Sequence, residues 1–209
     1  MSTLLHIDSS PLGGASISRH LSAEFVRKWQ QVHPDSKVIT RDLTAIGIPP
    51  VDGNWVGAVY TPEESRTAAQ KEAVALSDTL IAELEAADEY VFGVSMHNFG
   101  IPSTMKLWID QVVRVGRTFS YSESGPVGLL KGKKATFLIA SGGVYSKGTP
   151  RAPYDFVEPY LRAVFGFLGV GQTDFVVAGG AASVMSGKVD RATFLKSFDE
   201  AIEGRFEQA

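Results

Sequence analysis

The chain has 209 residues, of which 44% are hydrophobic and 21% are charged, and its formal net charge is −3. This composition is typical of a globular chain that buries most of its apolar side chains, and the mild acidity argues against nucleic acid or an anionic membrane as a partner. The sequence contains no cysteine, which excludes disulfides, thiol catalysis and thiolate metal sites.

The N-terminal sequence gives no sign of export. Met1-Ser2-Thr3 leads directly into an apolar segment, without the basic start and apolar core of a signal peptide. No apolar run approaches the roughly 18 residues that cross a bilayer. We therefore expect a soluble, cytoplasmic protein with no membrane partner. We also expect a single domain over residues 1–209, because no linker, repeat or low-complexity tract interrupts the chain.

Apolar periodicity predicts alternating strands and helices in the first half of the chain. Strands are predicted at 4–8 and 37–42, with a helix at 16–33 between them. Residues 44–64 show no clean period and contain several prolines and glycines, which predicts a long loop of the kind that is often functional or mobile. A long second helix is marked by apolar residues between 73 and 87.

The same alternation continues to the C-terminus. The remaining predicted elements are a strand at 89–95, a helix from 102 to about 115, a polar-aromatic excursion at 119–128, a strand at 134–140, a helix at 157–168, a strand at 172–178, and a last helix marked by Phe194, Phe198 and Ile202. This pattern implies an α/β fold, a three-layer sandwich in which helices cover both faces of a five-stranded parallel sheet. Five strands suit the flavodoxin-like order 2-1-3-4-5.

The first candidate site follows the first strand, where residues 9–18 are rich in serine and glycine. Ser10, Ser16 and Ser18 lie close to a predicted helix N-terminus, which carries unpaired N–H groups and a partial positive charge. Hydroxyls at that place form a neutral cradle for a phosphate. The spacing matches neither the P-loop nor the dinucleotide-binding fingerprint. Capping of the helix by Ser16 is the alternative, and the two roles can coexist.

The second candidate is the segment Met96-His97-Asn98-Phe99, which joins a buried strand to a helix. Asn98 offers two donors and an acceptor, which match the alternating edge of a flavin's isoalloxazine ring. Phe99 can wall the face of that ring and Met96 can fill space beside it, but plain core packing explains both residues equally well. His97 has three open interpretations: it lines the pocket, donates a proton, or caps the next helix.

The third candidate is Ala140-Ser141-Gly142-Gly143 at the end of a strand. Glycines let backbone amides approach a ligand closely, and amides near the N1 end of a flavin favour its anionic reduced form. A tight turn without a ligand is the alternative. In the expected strand order the three loops follow neighbouring strands, and open α/β sheets bind ligands outside the carboxyl ends of their strands.

Other chemistries find little support in the sequence. The four histidines show none of the spacings typical of a metal site, so no metal is predicted. The motif G-x-S-x-G is absent, which argues against a serine hydrolase. Surplus aromatic residues between Tyr154 and Phe167 exceed the needs of one small core, which indicates that part of them covers a subunit interface.

Several sequence blocks, taken in order, are more specific than any one motif. They are Ser9-Ser10 with Ser16-Ile17-Ser18, Asp42-Leu43, the segment EAVALSDTLIAEL at 72–84, Met96 to Phe99, the segment FSYSESGPVGLL at 119–130, and Gly132-Lys133-Lys134-Ala135. With these blocks the chain resembles, nearly from end to end, the FMN-dependent NADH-azoreductases, a branch of the flavodoxin-like quinone reductases. The resemblance implies FMN as the bound cofactor, NADH or NADPH as the electron donor, and a small-molecule quinone or azo compound as the acceptor.

The resemblance also implies which residues meet the cofactor. Those implied to hold the phosphate are Ser10, Ser16, Ile17 and Ser18. Those implied to hold the isoalloxazine ring are Met96, His97, Asn98, Phe99, Ala140, Ser141, Gly142 and Gly143. A homodimer with two flavins at the subunit interface is implied as well, in which Tyr121 reaches a site shared with the partner chain.

Two positions depart from the family pattern. The family usually has Tyr where this chain has His97, and it often has Ser-Arg where this chain has Ala140-Ser141. Side-chain contacts at these positions are expected to differ from those of the family, while backbone contacts can persist. The departures bear on substrate preference and on the choice between NADH and NADPH.

A flavin that carries the redox chemistry removes the need for a protein base or nucleophile, and the chain shows no acid–base pair or triad. We predict a ping-pong cycle in which NAD(P)H passes hydride to the flavin and leaves before a quinone or azo compound collects the two electrons. Water, His97 and Tyr121 are the possible proton sources, and the sequence does not choose among them. The alternative functions are a flavodoxin-type electron carrier that acts on a protein partner, and a cofactor-free hydrolase or binding module.

Overall fold

A computed structural model describes residues 2–206, so the predicted domain limits, 1 and 209, lie outside the described range. The strands in this range are β1 (Thr3–Asp8), β2 (Lys37–Asp42), β3 (Glu89–Ser95), β4 (Phe119–Ser122), β5 (Gly125–Gly128), β6 (Lys134–Ser141) and β7 (Gln172–Gly179). The α-helices are α1 (Ile17–Val32), α2 (Gly53–Tyr60), α3 (Ala68–Ala86), α4 (Ser103–Val112), α5 (Glu158–Phe167), α6 (Ala182–Met185), α7 (Arg191–Lys196) and α8 (Asp199–Glu203). Between residues 2 and 206, no helix has both the length and the hydropathy of a membrane span.

Five strands form one parallel sheet in the order β2-β1-β3-β6-β7, and β4 pairs with β5 as a separate antiparallel hairpin. The predicted α/β fold with helices around a five-stranded parallel sheet is confirmed. The predicted strand order 2-1-3-4-5 is wrong. When the strands are numbered along the chain, their order across the sheet is 2-1-3-6-7. The difference arises at 119–128, where the predicted irregular excursion pairs with itself and inserts two strands before the fourth strand of the sheet.

Helices cover both faces of the sheet and create two separate hydrophobic cores. One core centres on stacked rings: Phe92 lies 4.8 Å from Phe137 between ring centroids, and Phe165 from α5 meets both rings edge-on at 5.0 and 4.9 Å. The other core packs α1, through residues such as Trp29, against strand residues such as Val91. Phe92 and Val91 are adjacent in β3 but point to opposite faces, as the two-residue period of a strand requires. Both are fully buried, which is the pattern of a parallel sheet covered on two sides.

The first helix forms where its apolar spacing predicts. Its buried apolar positions recur every four residues and are Ile17, Leu21, Phe25 and Trp29. The hydroxyl of Ser16 caps the helix by accepting the N–H of Arg19 at 3.3 Å. The helix ends at Val32, because Pro34 disfavours helical backbone at the residue before it. The predicted span 16–33 therefore differs from the observed helix by one residue at each end.

The expectation of a loop over 44–64 is wrong for Gly53–Tyr60, which form α2. Asp52 caps this helix by accepting the N–H of Trp55 at 2.8 Å. The Trp55 side chain donates its Nε1–H to Gln111 of α4 at 2.8 Å, and both side chains are buried. Glycines within α2 lower its intrinsic helix propensity, so tertiary contacts of this kind stabilise it. The local spacing of apolar residues in the sequence cannot predict contacts between distant segments of this kind.

The end of the chain is also divided differently from the prediction. The apolar stripe of Phe194, Phe198 and Ile202 predicts one helix, but the structure has α7 and α8 with a break between them. At the break, the N–H of Phe198 donates to the carbonyl of Leu195 at 3.1 Å, which is the tighter three-residue spacing of a 3-10 turn. The stripe still faces the core, because Ile202 is fully buried.

The third predicted helix ends earlier than expected. It was predicted to reach about Val115, whereas α4 ends at Val112. The N–H of Arg114 donates to the Thr118 hydroxyl at 2.9 Å, and the buried Arg114 guanidinium binds Asp78 of α3 at 2.6 Å. These bonds turn the chain away from the helix axis and lead it into the β4–β5 hairpin.

Gly93 in β3 allows α1 to pack close to the sheet. A Cβ at this position would lie 2.2 Å from the Asp8 carboxylate, 2.9 Å from the Ser22 hydroxyl and 3.1 Å from the Ser18 carbonyl oxygen. The space is occupied by a buried polar network, in which Ser22 donates to Asp8 at 2.8 Å and the His6 ring lies 3.0 Å from the Ser22 hydroxyl. The missing side chain therefore determines how closely the first turns of α1 approach β3.

We expect Gly93→Ala to lower the free energy of unfolding by about 1–3 kcal/mol, because the added methyl group displaces Asp8 or the α1 backbone. Gly47→Ala is the matched control, since a Cβ there meets no atom within 4 Å. Its effect should stay within about 0.5 kcal/mol. Urea denaturation of both variants measures the difference, and wild-type stability in Gly93→Ala would contradict the close packing of α1.

Candidate cofactor site

Three loops meet at one edge of the sheet, where β1, β3 and β6 end. The parallel pairing of β1 with β3 ends at Asp8 and Gly93, and that of β3 with β6 ends at Ser95 and Ala140. Backbone hydrogen bonds then continue beyond it: the N–H of Ser9 donates to the Gly93 carbonyl at 3.1 Å, and the N–H of Met96 donates to the Ala140 carbonyl at 2.8 Å. The starts of the first two loops are therefore each fixed by a backbone bond to the neighbouring strand.

A cavity of about 320 Å³ opens between these loops. This volume lies in the range of small-molecule sites, roughly 300–1,000 Å³. The predicted site residues that line the cavity are Ser10, Ser16, Ile17, Met96, His97, Ala140, Ser141 and Gly142. The structure thus brings together members of all three predicted loops, and their side chains combine hydroxyl groups with apolar surface.

The other predicted residues lie beside or outside the cavity; they are Ser18, Asn98, Phe99, Gly143 and Tyr121. Ser18 is fully buried, and its hydroxyl lies 3.2 Å from that of Ser16. Asn98 and Phe99 form an exposed turn next to His97. Gly143 follows the lining residue Gly142. Tyr121 is 71% exposed on β4 and packs on Phe119 at 5.6 Å between ring centroids.

Ser16 caps α1 and also lines the cavity. Its hydroxyl accepts the Arg19 N–H at 3.3 Å and lies 3.2 Å from the Ser18 hydroxyl. Both hydroxyls therefore lie at the first turn of α1, whose backbone N–H groups have no partner within the helix. An anion is stabilised at such a helix end by the N–H groups and by the helix dipole. The two alternatives for Ser16, capping and anion contact, are compatible in this geometry.

Arg19 fixes the same loop from the side of β2. Its Nε donates to the Ser10 carbonyl at 2.8 Å, and its two terminal nitrogens donate to the Asp42 carboxylate at 2.8 and 2.7 Å. The hydrogen bonds from Arg19 hold the pKa of Asp42 well below its usual value, and Asp42 in turn raises the pKa of Arg19. The pair therefore stays ionised across the neutral range, and it ties Ser10 to the end of the sheet.

Asn98 and Phe99 form a strained turn at the rim of the cavity. Their φ angles, 48° and 71°, are both left-handed, and His97 and Gly100 exchange backbone hydrogen bonds of 2.9 and 3.0 Å around them. Asparagine tolerates this conformation, whereas for phenylalanine it costs roughly 1–2 kcal/mol. The N–H of Phe156 holds the Phe99 carbonyl at 3.1 Å. Strain that is maintained by neighbouring contacts is characteristic of functional sites.

A fourth wall of the cavity, absent from the prediction, follows β7. Ala181, Val184 and Met185 contribute it. The N–H of Ala181 donates to the Ser141 carbonyl at 3.0 Å, which joins this wall to the loop after β6. The sequence signal for this wall was the pair Gly179-Gly180 at the end of β7, which resembles the pair Gly142-Gly143 after the neighbouring strand β6. The other unpredicted lining residues are Leu12, Ala15 and Ser95.

The residues present fit a flavin mononucleotide. The Ser16 hydroxyl and the N-terminus of α1 suit a phosphate. Apolar side chains, including Met96 and Val184, suit the faces of a ring, and Gly142 leaves the backbone accessible to the edge of a ring. Apolar lining together with a few polar groups is the usual composition of a cofactor site.

Comparison with known proteins also indicates a flavin-binding protein, and the similarity extends over nearly the whole chain. The sequence profile of the family described as "Flavodoxin-like fold" matches residues 2–202. The FMN-dependent NADH:quinone oxidoreductase of Acidobacterium capsulatum is 57% identical over 196 residues, which cover 94% of this chain and 95% of the relative. The FMN-dependent NADH:quinone oxidoreductase 3 of Burkholderia lata is 51% identical over 206 residues, which cover 99% and 100%.

Solved structures extend the similarity to three dimensions. The FMN-dependent NADH-azoreductase from Bacillus anthracis, solved in complex with FMN, has a TM-score of 0.87 at 25% identity and covers 100% of this chain and 99% of its own. An azoreductase from the same species has a TM-score of 0.86 at 28% identity and covers 97% of each chain. The predicted family is confirmed: the chain belongs to the flavodoxin-like family of FMN-dependent NADH:quinone oxidoreductases.

Proposed function

We propose that the protein is an FMN-dependent NAD(P)H oxidoreductase that reduces quinones and azo compounds. The observation that carries this proposal is the single cavity that joins Ser16 at the N-terminus of α1 with Met96 and Gly142 at the ends of β3 and β6. Relatives that are more than half identical to the chain and are named FMN-dependent NADH:quinone oxidoreductases support the quinone activity, and the similarity to an FMN-dependent NADH-azoreductase supports the azo activity.

The phosphate of FMN is proposed to bind at the N-terminus of α1. Ser10 and Ser16 line the cavity there, and Ser18 supports the Ser16 hydroxyl from behind. A phosphate near this helix end accepts hydrogen bonds from hydroxyls and backbone N–H groups, which are stronger when the acceptor is charged. Ile17, which also lines the cavity, adds apolar surface next to the phosphate end.

The ring of FMN is proposed to lie between the loop after β3 and the loop after β6. Met96 and His97 form one side and Ala140 to Gly142 the other, with Asn98, Phe99 and Gly143 at the rim. FMN, when bound, accepts hydride from NAD(P)H and returns two electrons to a quinone or azo acceptor, while the protein supplies binding, orientation and exclusion of water. Because donor and acceptor need the same open face of the cleft, the proposed order is ping-pong.

His97 is proposed to supply protons to the reduced acceptor. It lines the cavity and is exposed, and its Nε2 lies 3.1 Å from the Ser95 hydroxyl, which orients the ring. An imidazole ring can both accept and donate a proton, so His97 suits this role better than the other described lining side chains.

A homodimer is proposed from the exposed aromatic surface formed by the β4–β5 hairpin and the end of α5. Tyr121 is 71% exposed and Phe167 is 38% exposed, and both pack on Phe119 at 5.6 and 4.8 Å between ring centroids. Aromatic residues are enriched in the cores of subunit interfaces. Because Tyr121 does not line the cavity of its own chain, its proposed place is the cavity of the partner. One FMN-binding domain over residues 1–209 and a cytoplasmic location complete the proposal.

Anaerobic NADH is expected to bleach the absorbance of FMN bound to the protein, and a quinone is expected to restore it. Steady-state plots at several quinone concentrations should give parallel lines, because the oxidised donor leaves before the acceptor binds. Intersecting lines would contradict the ping-pong order. A flavin that NADH does not reduce would favour the electron carrier, and colourless protein that takes up no FMN would favour the cofactor-free alternatives.

Ser16→Ala is expected to weaken FMN binding about tenfold or more, because a hydrogen bond to a charged group contributes roughly 1.5–3 kcal/mol. It should also lower the unfolding free energy by about 1 kcal/mol through loss of the α1 cap. Thr67→Ala is the matched control, since Thr67 caps α3 in the same way but does not line the cavity. Flavin fluorescence titration and urea denaturation separate the two effects, and equal FMN affinity in both variants would place the phosphate elsewhere.

His97→Gln is expected to slow the oxidative half-reaction with a quinone acceptor, because the variant lacks the proposed proton donor. FMN affinity is measured separately, since His97 also lines the cavity. The glutamine keeps a polar side chain near Ser95, but its amide cannot act as a general acid. Stopped-flow measurement of the oxidative half-reaction between about pH 5 and pH 9 provides the comparison. A profile identical to that of the wild type would leave water or Tyr121 as the proton source.

A further inference from the structure

Two arginines that do not line the cavity bind backbone carbonyls of the Ser9–Ser16 loop. Arg19 donates from Nε to the Ser10 carbonyl at 2.8 Å, and Arg191 at the start of α7 donates from Nη2 to the carbonyls of Gly14 and Ser16 at 3.2 and 3.4 Å. These carbonyl oxygens carry partial negative charge, and their bonds to arginine keep that charge away from an anion in the cleft. The polar groups that remain for the anion are hydroxyls and N–H groups.

The charge of Arg19 is neutralised by its surroundings. Its terminal nitrogens form the two-bond pair with Asp42 and lie 3.8 Å from the Asp8 carboxylate. A third bond goes to the Thr44 hydroxyl at 3.1 Å. Arg19 therefore acts as a rigid support for Ser10 and contributes little net positive field to the cleft.

Arg191 differs from Arg19 in its electrostatic surroundings. Among residues 2–206, no carboxylate lies within 4.0 Å of its guanidinium. The adjacent carboxylate of Asp190 is engaged as the α7 cap, where it accepts the N–H and the hydroxyl of Thr193 at 2.9 and 3.1 Å. Arg191 is half-buried, so its charge is screened less than that of an exposed side chain. A positive charge without a carboxylate partner thus lies next to Ser16.

We propose that Arg191 is a specificity-determining residue that selects a phosphorylated flavin over an unphosphorylated one. A phosphate monoester carries nearly two negative charges near neutral pH, whereas the serine hydroxyls of the cradle are neutral. Arg191 supplies the positive charge, and through Gly14 and Ser16 it also holds the loop that presents the hydroxyls. This inference rests on the proposed FMN-binding function and assigns the C-terminal helix α7 a part in it.

The test compares FMN with riboflavin, which has the same ring and ribityl chain without the phosphate. Dissociation constants are measured by quenching of flavin fluorescence on the apoprotein of the wild type, Arg191→Gln and Arg191→Lys. Arg191→Gln is expected to weaken FMN binding about tenfold and to leave riboflavin binding within about twofold, because only the charged ligand senses the lost charge. Arg191→Lys should retain most of the preference. For the wild type, the affinity ratio of FMN to riboflavin should fall as salt concentration rises.

Lys196→Gln is the matched control, because it removes the same unit charge from an exposed position of the same helix. It should leave both dissociation constants unchanged. An equal loss of FMN and riboflavin affinity in Arg191→Gln would show a purely structural role and overturn the proposal, as would unchanged FMN affinity. If the wild-type protein binds neither flavin, the proposed cofactor itself is wrong, which is a separate result. Should Arg191→Gln unfold, the lysine variant and the salt dependence decide the question.

Discussion

The backbone hydrogen bonds at the carboxyl edge of the sheet are the constraint on which the site depends. Because β1, β3 and β6 run parallel and side by side, the loops that follow them leave the sheet at one place. The bonds of Ser9 to Gly93 and of Met96 to Ala140 fix the starts of the first two loops to the neighbouring strands. These bonds do not involve side chains. The cavity can therefore keep its shape at His97 and Ser141, where the chain departs from its family.

The packing beneath the cavity serves the same purpose. Gly93 lets α1 approach the sheet, and the pair of Arg19 with Asp42 holds the loop before that helix. The N-terminus of α1, with its unpaired N–H groups, is thus fixed at one end of the cleft. The positive charge of Arg191 lies outside the cavity, on the far side of this loop, because Arg191 donates to the backbone carbonyls of Gly14 and Ser16. The groups of this loop that line the cavity, such as the Ser10 and Ser16 hydroxyls, are themselves neutral.

The parts of the fold with local signals were predictable from sequence, and the parts that depend on distant contacts were not. The limits of β3 match the prediction because a buried apolar run marks a strand directly, and those of β2 match because its short run of β-branched residues follows the break at Pro34-Asp35. In contrast, α2 is stabilised by Trp55 contacting Gln111, which lies 56 residues away along the chain. The β4–β5 hairpin was hidden because a short, exposed ribbon has little apolar alternation. Three walls of the cavity were predicted from loop composition. The wall at Met185 was missed because its only signal in the sequence is a pair of glycines.

Amide hydrogen exchange with and without FMN tests the central claim most directly, namely that three loops of the parallel sheet form one cofactor cleft. Added protection is expected in residues 9–18, 96–100 and 140–143, and in the wall at 180–185. The opposite end of the sheet, formed by the amino ends of β3, β6 and β7, should show no change in amide exchange. Added protection at the amino ends of these strands, or in only one of the three loops, would contradict a shared cleft.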